Sequence, residues 1–146
     1  MPSTSIWVHL IWATKNRSPI LTKELREILF QHIRENALLK EIQLDTIGGV
    51  ADHVHLLIRL WPDQTVARIA QLIKGESSHW VNSQNITPFK FEWQDEYMAV
   101  SVSHSQLHRV REYIRTQEEH HRKRSLAEEE QSTLVEAGIE GVKTPQ

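Results

Sequence analysis

The sequence predicts an α+β protein built on one antiparallel sheet, and three observations support this prediction. Segments rich in β-branched and aromatic residues alternate with segments whose apolar residues recur at helical spacing. Two neighbouring strand segments are separated by a Gly-Gly pair, which is typical of an antiparallel hairpin. The chain has 146 residues, 39% of them hydrophobic and 25% charged, as expected for one globular domain.

The first half of the chain is predicted to form strand, helix, strand and strand. Ile6 to Ala13 is rich in β-branched and aromatic residues, which favours a strand. Apolar residues at near-helical spacing predict an amphipathic helix from Thr22 to Lys40. Two further strands are predicted at Glu41–Ile47 and Asp52–Leu60, with Gly48-Gly49 as the turn that joins them.

The second half is predicted to form helix, strand and helix. Apolar spacing predicts a helix from about Thr65 to Asn82, and aromatic residues favour a strand at Phe91–Ser101. Ser103 to Gln106 matches a capping box, which predicts the start of a third helix that continues to about His121. Past Ser125 the sequence predicts a short fraying helix or a loose tail.

The resulting order, β-α-β-β-α-β-α, predicts a ferredoxin-like sandwich. This is a four-stranded antiparallel sheet with helices on one face, and here an added C-terminal helix that carries Tyr113. Because one fold can host many unrelated activities, the function has to be inferred from particular residues.

Composition excludes several classes of protein. The chain contains no cysteine, which excludes disulfides, thiol catalysis and zinc sites of the cysteine type. No apolar run approaches the roughly 20 residues that a membrane span needs, so we expect a cytoplasmic protein. The net charge of −2 is unevenly distributed: residues 126–146 contain five acidic residues and one lysine. We therefore expect a catalytic domain at 1–125, with 16 basic and 14 acidic side chains, and an acidic tail at 126–146.

The most informative segment is Asp52-His53-Val54-His55. Residues two apart on a strand point to the same side, so the two imidazoles project next to each other. Two neighbouring neutral imidazoles provide half of a site for a divalent metal. The alternative is that two histidines lie on a strand without a shared function.

The third helix contains two residues that could complete such a site. Tyr113 and Gln117 are four residues apart, which makes them neighbours on one helix face. An amide oxygen can bind a hard cation, and a phenol can act as a nucleophile. The alternatives are a half-buried aromatic residue and a solvated polar residue. Tyr97 is the rival nucleophile, but no glutamine follows it one helical turn later.

Taken together, these residues resemble the HUH single-tyrosine transposases of small insertion sequences, which include the REP-associated tyrosine transposases. The resemblance extends from Val8 to Lys123. It is carried by five segments in the same order: His9-Leu-Ile-Trp-Ala-Thr-Lys-Asn-Arg17, Gly48-Gly-Val-Ala-Asp-His-Val-His-Leu-Leu57, Ile73-Lys-Gly-Glu-Ser-Ser78, Trp93-Gln94 with Ser101-Val-Ser103, and Tyr113-Ile-Arg-Thr-Gln-Glu-Glu-His-His121.

The resemblance implies a role for each candidate residue. His53, His55 and Gln117 would bind Mg²⁺ or Mn²⁺, and Tyr113 would be the nucleophile. The family cleaves single-stranded DNA at hairpin-marked element ends, forming a 5′-phosphotyrosine and leaving a free 3′-OH. Its members are dimers in which the tyrosine helix can serve the histidine pair of the partner subunit, and we expect the same here.

Five basic residues are candidate phosphate contacts, although a solvated surface position is the alternative for each. They are Lys15, Arg17, Lys74, Arg111 and Arg115.

Two other functions stay open at this point. A domesticated or inactive relative would bind hairpin DNA without cutting it. A metal-dependent phosphoesterase acting on small nucleotides would not require Tyr113.

Overall fold

The protein is described by a computed structural model at residues 3–121 and 126–136. Its strands and helices, in chain order, are β1 (Ile6–Ala13), α1 (Lys23–Leu39), β2 (Gln43–Gly49), β3 (His53–Leu60), α2 (Val66–Ser83), β4 (Met98–Val102), α3 (Leu107–Arg115), α4 (Gln117–His121) and α5 (Leu126–Glu136).

The four strands form one antiparallel sheet in the order β2-β3-β1-β4, which confirms the predicted fold class. The two central strands, β1 and β3, are paired along their whole length. In their register Ile11 lies opposite His55 and Ala13 lies opposite His53. The histidine pair therefore lies on a central strand, where backbone pairing on both sides holds it in place.

One face of the sheet is covered by α1 and α2. Alternate residues of β1 and β3, among them Leu10, Trp12 and Leu56, point to this face and belong to its apolar core. Burying each such side chain stabilises the fold by roughly 1.5–3 kcal/mol. Both helices begin at a threonine whose hydroxyl accepts a backbone N–H, Thr22 for α1 and Thr65 for α2.

The opposite face of the sheet carries the histidines and is covered by the C-terminal helices. Trp7 and Leu57 on this face pack against Leu107 and Ile114 of α3. The added C-terminal helix predicted to end near His121 is two helices in the structure, α3 and α4, and α5 lies in the segment predicted as a short fraying helix or a loose tail. The sheet is buried on both sides, and the candidate site lies between its second face and these helices.

The prediction that Gly48-Gly49 forms the hairpin turn is wrong. Gly48 and Gly49 are the last residues of β2, and residues 50–52 form the turn. A Cβ atom on Gly48 would lie 2.2 Å from the backbone oxygen of Ile114. The glycine is required because the backbone of α3 rests directly on β2 at this point.

The fourth strand is shorter than predicted: β4 covers Met98–Val102, whereas the sequence predicted a strand at Phe91–Ser101. Phe91 and Trp93 lie outside it and are buried in the apolar core of the first face. The predicted strand merged a buried loop with a strand, since aromatic residues occur in both. Tyr97 lies in the intervening loop and is 39% exposed.

The predicted capping box is also absent at residues 103–106. The side chain of Ser103 caps no backbone N–H; its Oγ lies 3.2 Å from Ser105 Oγ. A single turn of 3₁₀ helix precedes α3 instead, with the backbone N–H of Gln106 donating to the Ser103 carbonyl.

The predicted third helix is interrupted. Thr116, with φ −104° and ψ 28°, ends α3, and α4 begins at Gln117. A further helix, α5, occupies residues 126–136 at the start of the predicted acidic tail, whereas residues 137–146 lie outside the described residues. Within 3–121 and 126–136, no helix has the length and apolarity to cross a membrane.

Candidate active site

His53 and His55 form the base of the candidate site, on the second face of the sheet. Both side chains are fully buried, and their ring centroids are 5.1 Å apart. The prediction from strand periodicity that the two imidazoles would be neighbours is confirmed.

Each of the two rings has an outer partner at Nδ1. His53 Nδ1 lies 2.7 Å from Asp52 Oδ1, and His55 Nδ1 lies 2.9 Å from Nε2 of His9 on β1. Burial disfavours a charged His53, but its hydrogen bonds with Asp52 and Glu129 outweigh burial and raise its pKa. Burial, with the nearby His55, lowers the pKa of His9 to about 3, so His9 is a neutral imidazole at physiological pH.

A carboxylate from α5 contacts the Nε2 atoms of both histidines. Glu129 Oε2 lies 3.1 Å from His53 Nε2, and Glu129 Oε1 lies 3.3 Å from His55 Nε2. Glu129 is only 1% exposed. Burial alone would raise the pKa of this carboxyl, but hydrogen bonds from His53, His55 and Tyr113 dominate and lower it well below its usual range.

Tyr113 of α3 reaches the same carboxylate. Its hydroxyl donates to Glu129 Oε1 at 2.5 Å, and its ring meets the ring of His55 edge-on at a centroid distance of 5.7 Å. The close contact between α3 and Gly48 brings the tyrosine to this depth. The structure thus places Tyr113 beside the two histidines of its own chain.

Gln117 is buried one turn beyond the tyrosine. Its Nε2 donates to the Tyr113 carbonyl oxygen at 3.0 Å, so the two residues are linked despite the helix break at Thr116. Its Oε1 is a buried acceptor for which the described part of the chain offers no hydrogen-bond donor. A buried oxygen in this state is suited to a cation.

The donors present fit a divalent metal ion. Ligand atoms of His53, His55 and Glu129 lie within 4.8 Å of one another, and this cluster could hold a metal ion. Two imidazole nitrogens and a carboxylate oxygen match the ligand types of Mn²⁺ and Mg²⁺, and the buried amide oxygen of Gln117 is a further oxygen donor of the type that these ions accept.

The candidate phosphate contacts on α3 both pair with acidic side chains in the structure. Arg111 makes two hydrogen bonds to the Asp45 carboxylate, at 2.8 and 3.0 Å, which lower the pKa of Asp45 despite partial burial. Its guanidinium also lies 5.7 Å from the centre of the Trp7 ring. Arg115 pairs with Glu112 at 3.2 Å on the exposed side of the helix.

The other three candidate phosphate contacts lie outside α3. Lys15 and Arg17 line a cavity of about 460 Å³ with Trp93 and Gln94, and Lys15 pairs with Glu92 at 3.1 Å. Separately, Lys74 donates to the backbone oxygen of Asp95 at 2.8 Å.

Two residues of the site were not identified from the sequence. His9 is two residues from Ile11 on β1, and its side chain therefore lies on the same face of the sheet as the histidine pair. The period of two on β1 predicts that face, but only the pairing of β1 with β3 shows that His55 is its partner. Glu129 is 76 residues from His53 and lies in a segment that composition alone marks as an acidic tail. No local pattern in the sequence points to it.

This fold and this site define a class of α+β proteins in which paired histidines on a central strand face a tyrosine on a helix. A family model described as IS200-like transposase matches residues 2–117, and the chain therefore belongs to the IS200-like transposase family. The resemblance to HUH single-tyrosine transposases seen in the sequence is confirmed, and with it an association with DNA transposition and insertion sequences.

Individual relatives agree with this assignment. The ISDra2 transposase TnpA of Deinococcus radiodurans is 27% identical over 114 residues, which cover 75% of this chain and 81% of that protein. A crystal structure from Deinococcus radiodurans R1, of a protein described as a transposase, superimposes with a TM-score of 0.65 at 26% identity over 80% of this chain and 93% of that one.

A second solved structure supports the fold alone. It is a REP-associated tyrosine transposase bound to a REP hairpin, with a TM-score of 0.56 at 15% identity over 80% of this chain and 72% of that chain.

Proposed function

We propose that this transposase cleaves and rejoins single-stranded DNA at hairpin-marked element ends through a 5′-phosphotyrosine on Tyr113. The observation that carries the proposal is a convergence in the site. The Tyr113 hydroxyl and the Nε2 atoms of His53 and His55 all contact one buried carboxylate, that of Glu129. A nucleophile and a pair of metal-binding nitrogens thus share one small volume. The hairpin in the proposal follows the family resemblance, and the REP-associated tyrosine transposase that shares this fold is bound to a REP hairpin.

Tyr113 is the nucleophile in this proposal. Its Oη forms the new bond to phosphorus, the bond from phosphorus to the 3′ oxygen breaks, and that oxygen ends as a free 3′-OH. One proton leaves the phenol and one is gained by the 3′ oxygen. An unperturbed tyrosine has a pKa of about 10, so the phenol needs an acceptor or a polarised phosphate to react at neutral pH. Glu129 Oε1 is the hydrogen-bond acceptor that the structure provides.

The metal would be held by His53 and His55 through Nε2, with Gln117 Oε1 as the third ligand and the Glu129 carboxylate beside them. When bound, Mg²⁺ or Mn²⁺ would polarise the scissile phosphodiester and neutralise the charge that develops during transfer.

The phosphotyrosine keeps the energy of the phosphodiester, because one ester bond has been exchanged for another. A second 3′-OH that attacks the phosphorus would rejoin DNA and return Tyr113 to its phenol form. The reaction therefore needs no nucleoside triphosphate.

We further propose a homodimer, in line with the family resemblance, that binds DNA through Lys15, Arg17, Lys74, Arg111 and Arg115. Whether a tyrosine serves its own histidine pair or that of the partner can be tested by mixing His53→Ala with Tyr113→Phe. Restored cleavage in the mixture requires catalysis between subunits. The Tyr113–Glu129 hydrogen bond within one chain supports catalysis within a subunit and therefore no restoration.

The test of the proposal uses single-stranded DNA copied from both strands flanking the gene, incubated with the protein and Mn²⁺ or Mg²⁺. We expect a covalent protein–DNA adduct on a denaturing gel that disappears with a chelator and in Tyr113→Phe. Tyr97→Phe is the matched control, since the chain has two tyrosines and Tyr97 lies in an exposed loop.

Three outcomes would contradict the proposal in different ways. An adduct that persists in Tyr113→Phe and is lost in Tyr97→Phe would show that Tyr97, and not Tyr113, is the nucleophile. Hairpin binding without any adduct would favour the alternative function, in which the protein is a domesticated or inactive transposase that binds DNA without cutting it. Hydrolysis of small nucleotides that is unchanged in Tyr113→Phe would favour the phosphoesterase.

A further inference from the structure

His9 is a buried polar residue that the proposed reaction does not use. It lies on β1, directly across from β3, and is 3% exposed. Its Nε2 is 2.9 Å from Nδ1 of His55, and their ring centroids are 5.1 Å apart. Its backbone partner across the sheet is Leu57, an apolar residue of the same face. Burying an imidazole there is unfavourable unless the ring makes a useful hydrogen bond.

Metal binding by His55 would determine which atom donates in the hydrogen bond between His9 and His55. When His55 gives the Nε2 lone pair to a cation, its remaining proton is on Nδ1. In a buried site that N–H requires an acceptor, because an unsatisfied donor there would be costly. The His9 Nε2 atom lies at hydrogen-bond distance from it. The other metal-binding ring has the equivalent arrangement, with Asp52 Oδ1 as acceptor for His53 Nδ1.

We propose that His9 is a positioning residue that accepts the Nδ1–H of His55 and so directs His55 Nε2 toward the metal. This inference rests on the proposed function, because it assumes that the histidine pair binds a divalent ion. His9 makes no contact with the ion or with DNA in this role. It fixes the tautomer and the rotation of a ligand.

The use of an imidazole instead of a second outer carboxylate has an electrostatic reason. Asp52 and Glu129 already bring two carboxylates to the pair. A third negative charge would strengthen metal binding but repel the phosphodiester that has to approach the same ion. An imidazole at this position supplies an acceptor nitrogen without adding a negative charge. The same ring also lines a cavity of about 810 Å³ between β4, α3 and α5, close to Tyr113.

The first experiment measures Mn²⁺ binding by calorimetry and by electron paramagnetic resonance, without DNA. The variants are His9→Phe, which fills the space without an acceptor, and His9→Gln, which retains a polar acceptor. His79→Phe removes an exposed histidine on α2 and controls for adventitious binding. We expect a 10- to 100-fold weaker Mn²⁺ affinity in His9→Phe, the usual size of such effects. His9→Gln should recover most of the loss, and His79→Phe should match the original protein.

The second experiment needs no variant and holds even if His9→Phe does not fold. In Mg²⁺-loaded protein with ¹⁵N-labelled histidine, nuclear magnetic resonance should show the His55 Nδ1–H proton coupled across the hydrogen bond to His9 Nε2. A His9 whose Nε2 carries the proton in the loaded protein would overturn the inference.

The binding data separate this inference from the proposed function. If the original protein binds no Mn²⁺, the proposed metal-dependent function fails, and this inference fails with it. If it binds Mn²⁺ and folded His9→Phe binds equally well, only the role of His9 is overturned. Equal losses in His9→Phe and His9→Gln would also overturn it, because packing alone would then explain both.

Discussion

The two faces of the sheet are formed by alternate residues of the same strands, yet they are stabilised in different ways. On the face under α1 and α2, residues such as Leu10 and Leu56 bury apolar surface and need only shape and volume. On the face under α3 and α5, His9, His53 and His55 are just as buried but carry polar atoms. Each of those atoms needs a partner with a particular geometry.

The comparison shows how one strand can serve stability and chemistry together. Because successive side chains point in opposite directions, Val54 and Leu56 anchor β3 in the apolar core and thereby hold His53 and His55 still. A change on the first face should act mainly on the free energy of unfolding. A change on the second face should act mainly on binding and catalysis.

The largest expected effect comes from the polar face, in His53→Ala or His55→Ala. Removing a proposed metal ligand should lower Mn²⁺ affinity by more than about 100-fold, beyond the effect of losing a hydrogen-bond partner of such a ligand. Adduct formation should fall below detection while cooperative unfolding is retained. Calorimetry, gel assays and thermal melts would check this prediction. Normal adduct formation in either variant would contradict the metal assignment.

The matched change on the apolar face is Leu56→Ala, at the residue that directly follows His55 in the sequence. Leu56 is fully buried, so we expect a loss of about 2–5 kcal/mol in the free energy of unfolding. Denaturant titration measures this loss. Under conditions where the variant stays folded, Mn²⁺ affinity should remain within about threefold of the original. A large loss of affinity at full folding would show that the two faces are not separable.

Gly48→Ala tests the contact between the two regions. The added methyl group would overlap the backbone oxygen of Ile114, so α3 has to move away from β2. We expect about 1–3 kcal/mol of destabilisation, as for overpacked cores, together with slower adduct formation because Tyr113 moves with its helix. Gly75→Ala is the control, since a Cβ there would meet open space. Equal adduct yields from both variants would contradict a positional role for Gly48.

The smallest expected effect is the acid sensitivity of the Asp45–Arg111 pair. Partial burial works against the Asp45 carboxylate, but Arg111 lowers its pKa, so the folded state favours the ionised form. The stabilisation is present above the unfolded pKa of about 4 and is lost as the pH falls through the lower folded value. Both side chains are partly exposed, so we expect at most about 1 kcal/mol.

Thermal melts of the original protein and Arg111→Gln between pH 6 and 3 would measure this contribution. The difference in melting temperature should shrink toward the acid end of the range. A difference that does not change with pH would mean that the pair contributes no electrostatic stabilisation. DNA binding by the same variant would test whether Arg111 also contacts phosphate.

The sequence predicts the elements whose period is strong and misses features that depend on contacts between distant residues. Period two placed His53 and His55 on one side of β3, and helical spacing located α1 and α2 within a residue or two. The glycine pair was misassigned because a turn and a close helix–strand contact both select glycine. Only the packed structure distinguishes the two.

The candidate site shows the same limit. Tyr113 and Gln117 were identified through family resemblance, since their spacing alone is common. His9 needs the register between β1 and β3, and Glu129 needs the docking of α5. From composition, residues 126–146 were predicted to be an acidic tail. Counting charges does not show that the carboxylate of Glu129 is buried while that of its neighbour Glu128 is exposed.

The contacts of Glu129 bear on whether the chain folds before or after it binds a metal ion. In a zinc finger the metal has to arrive before the chain can fold, because nothing else holds the ligands together. Here the carboxylate already ties His53, His55 and Tyr113 to one another. If the proposed metal-dependent function is correct, the chain can finish folding first and bind its ion afterwards. A shortage of manganese or magnesium in the cell should then stop DNA cleavage without unfolding the protein.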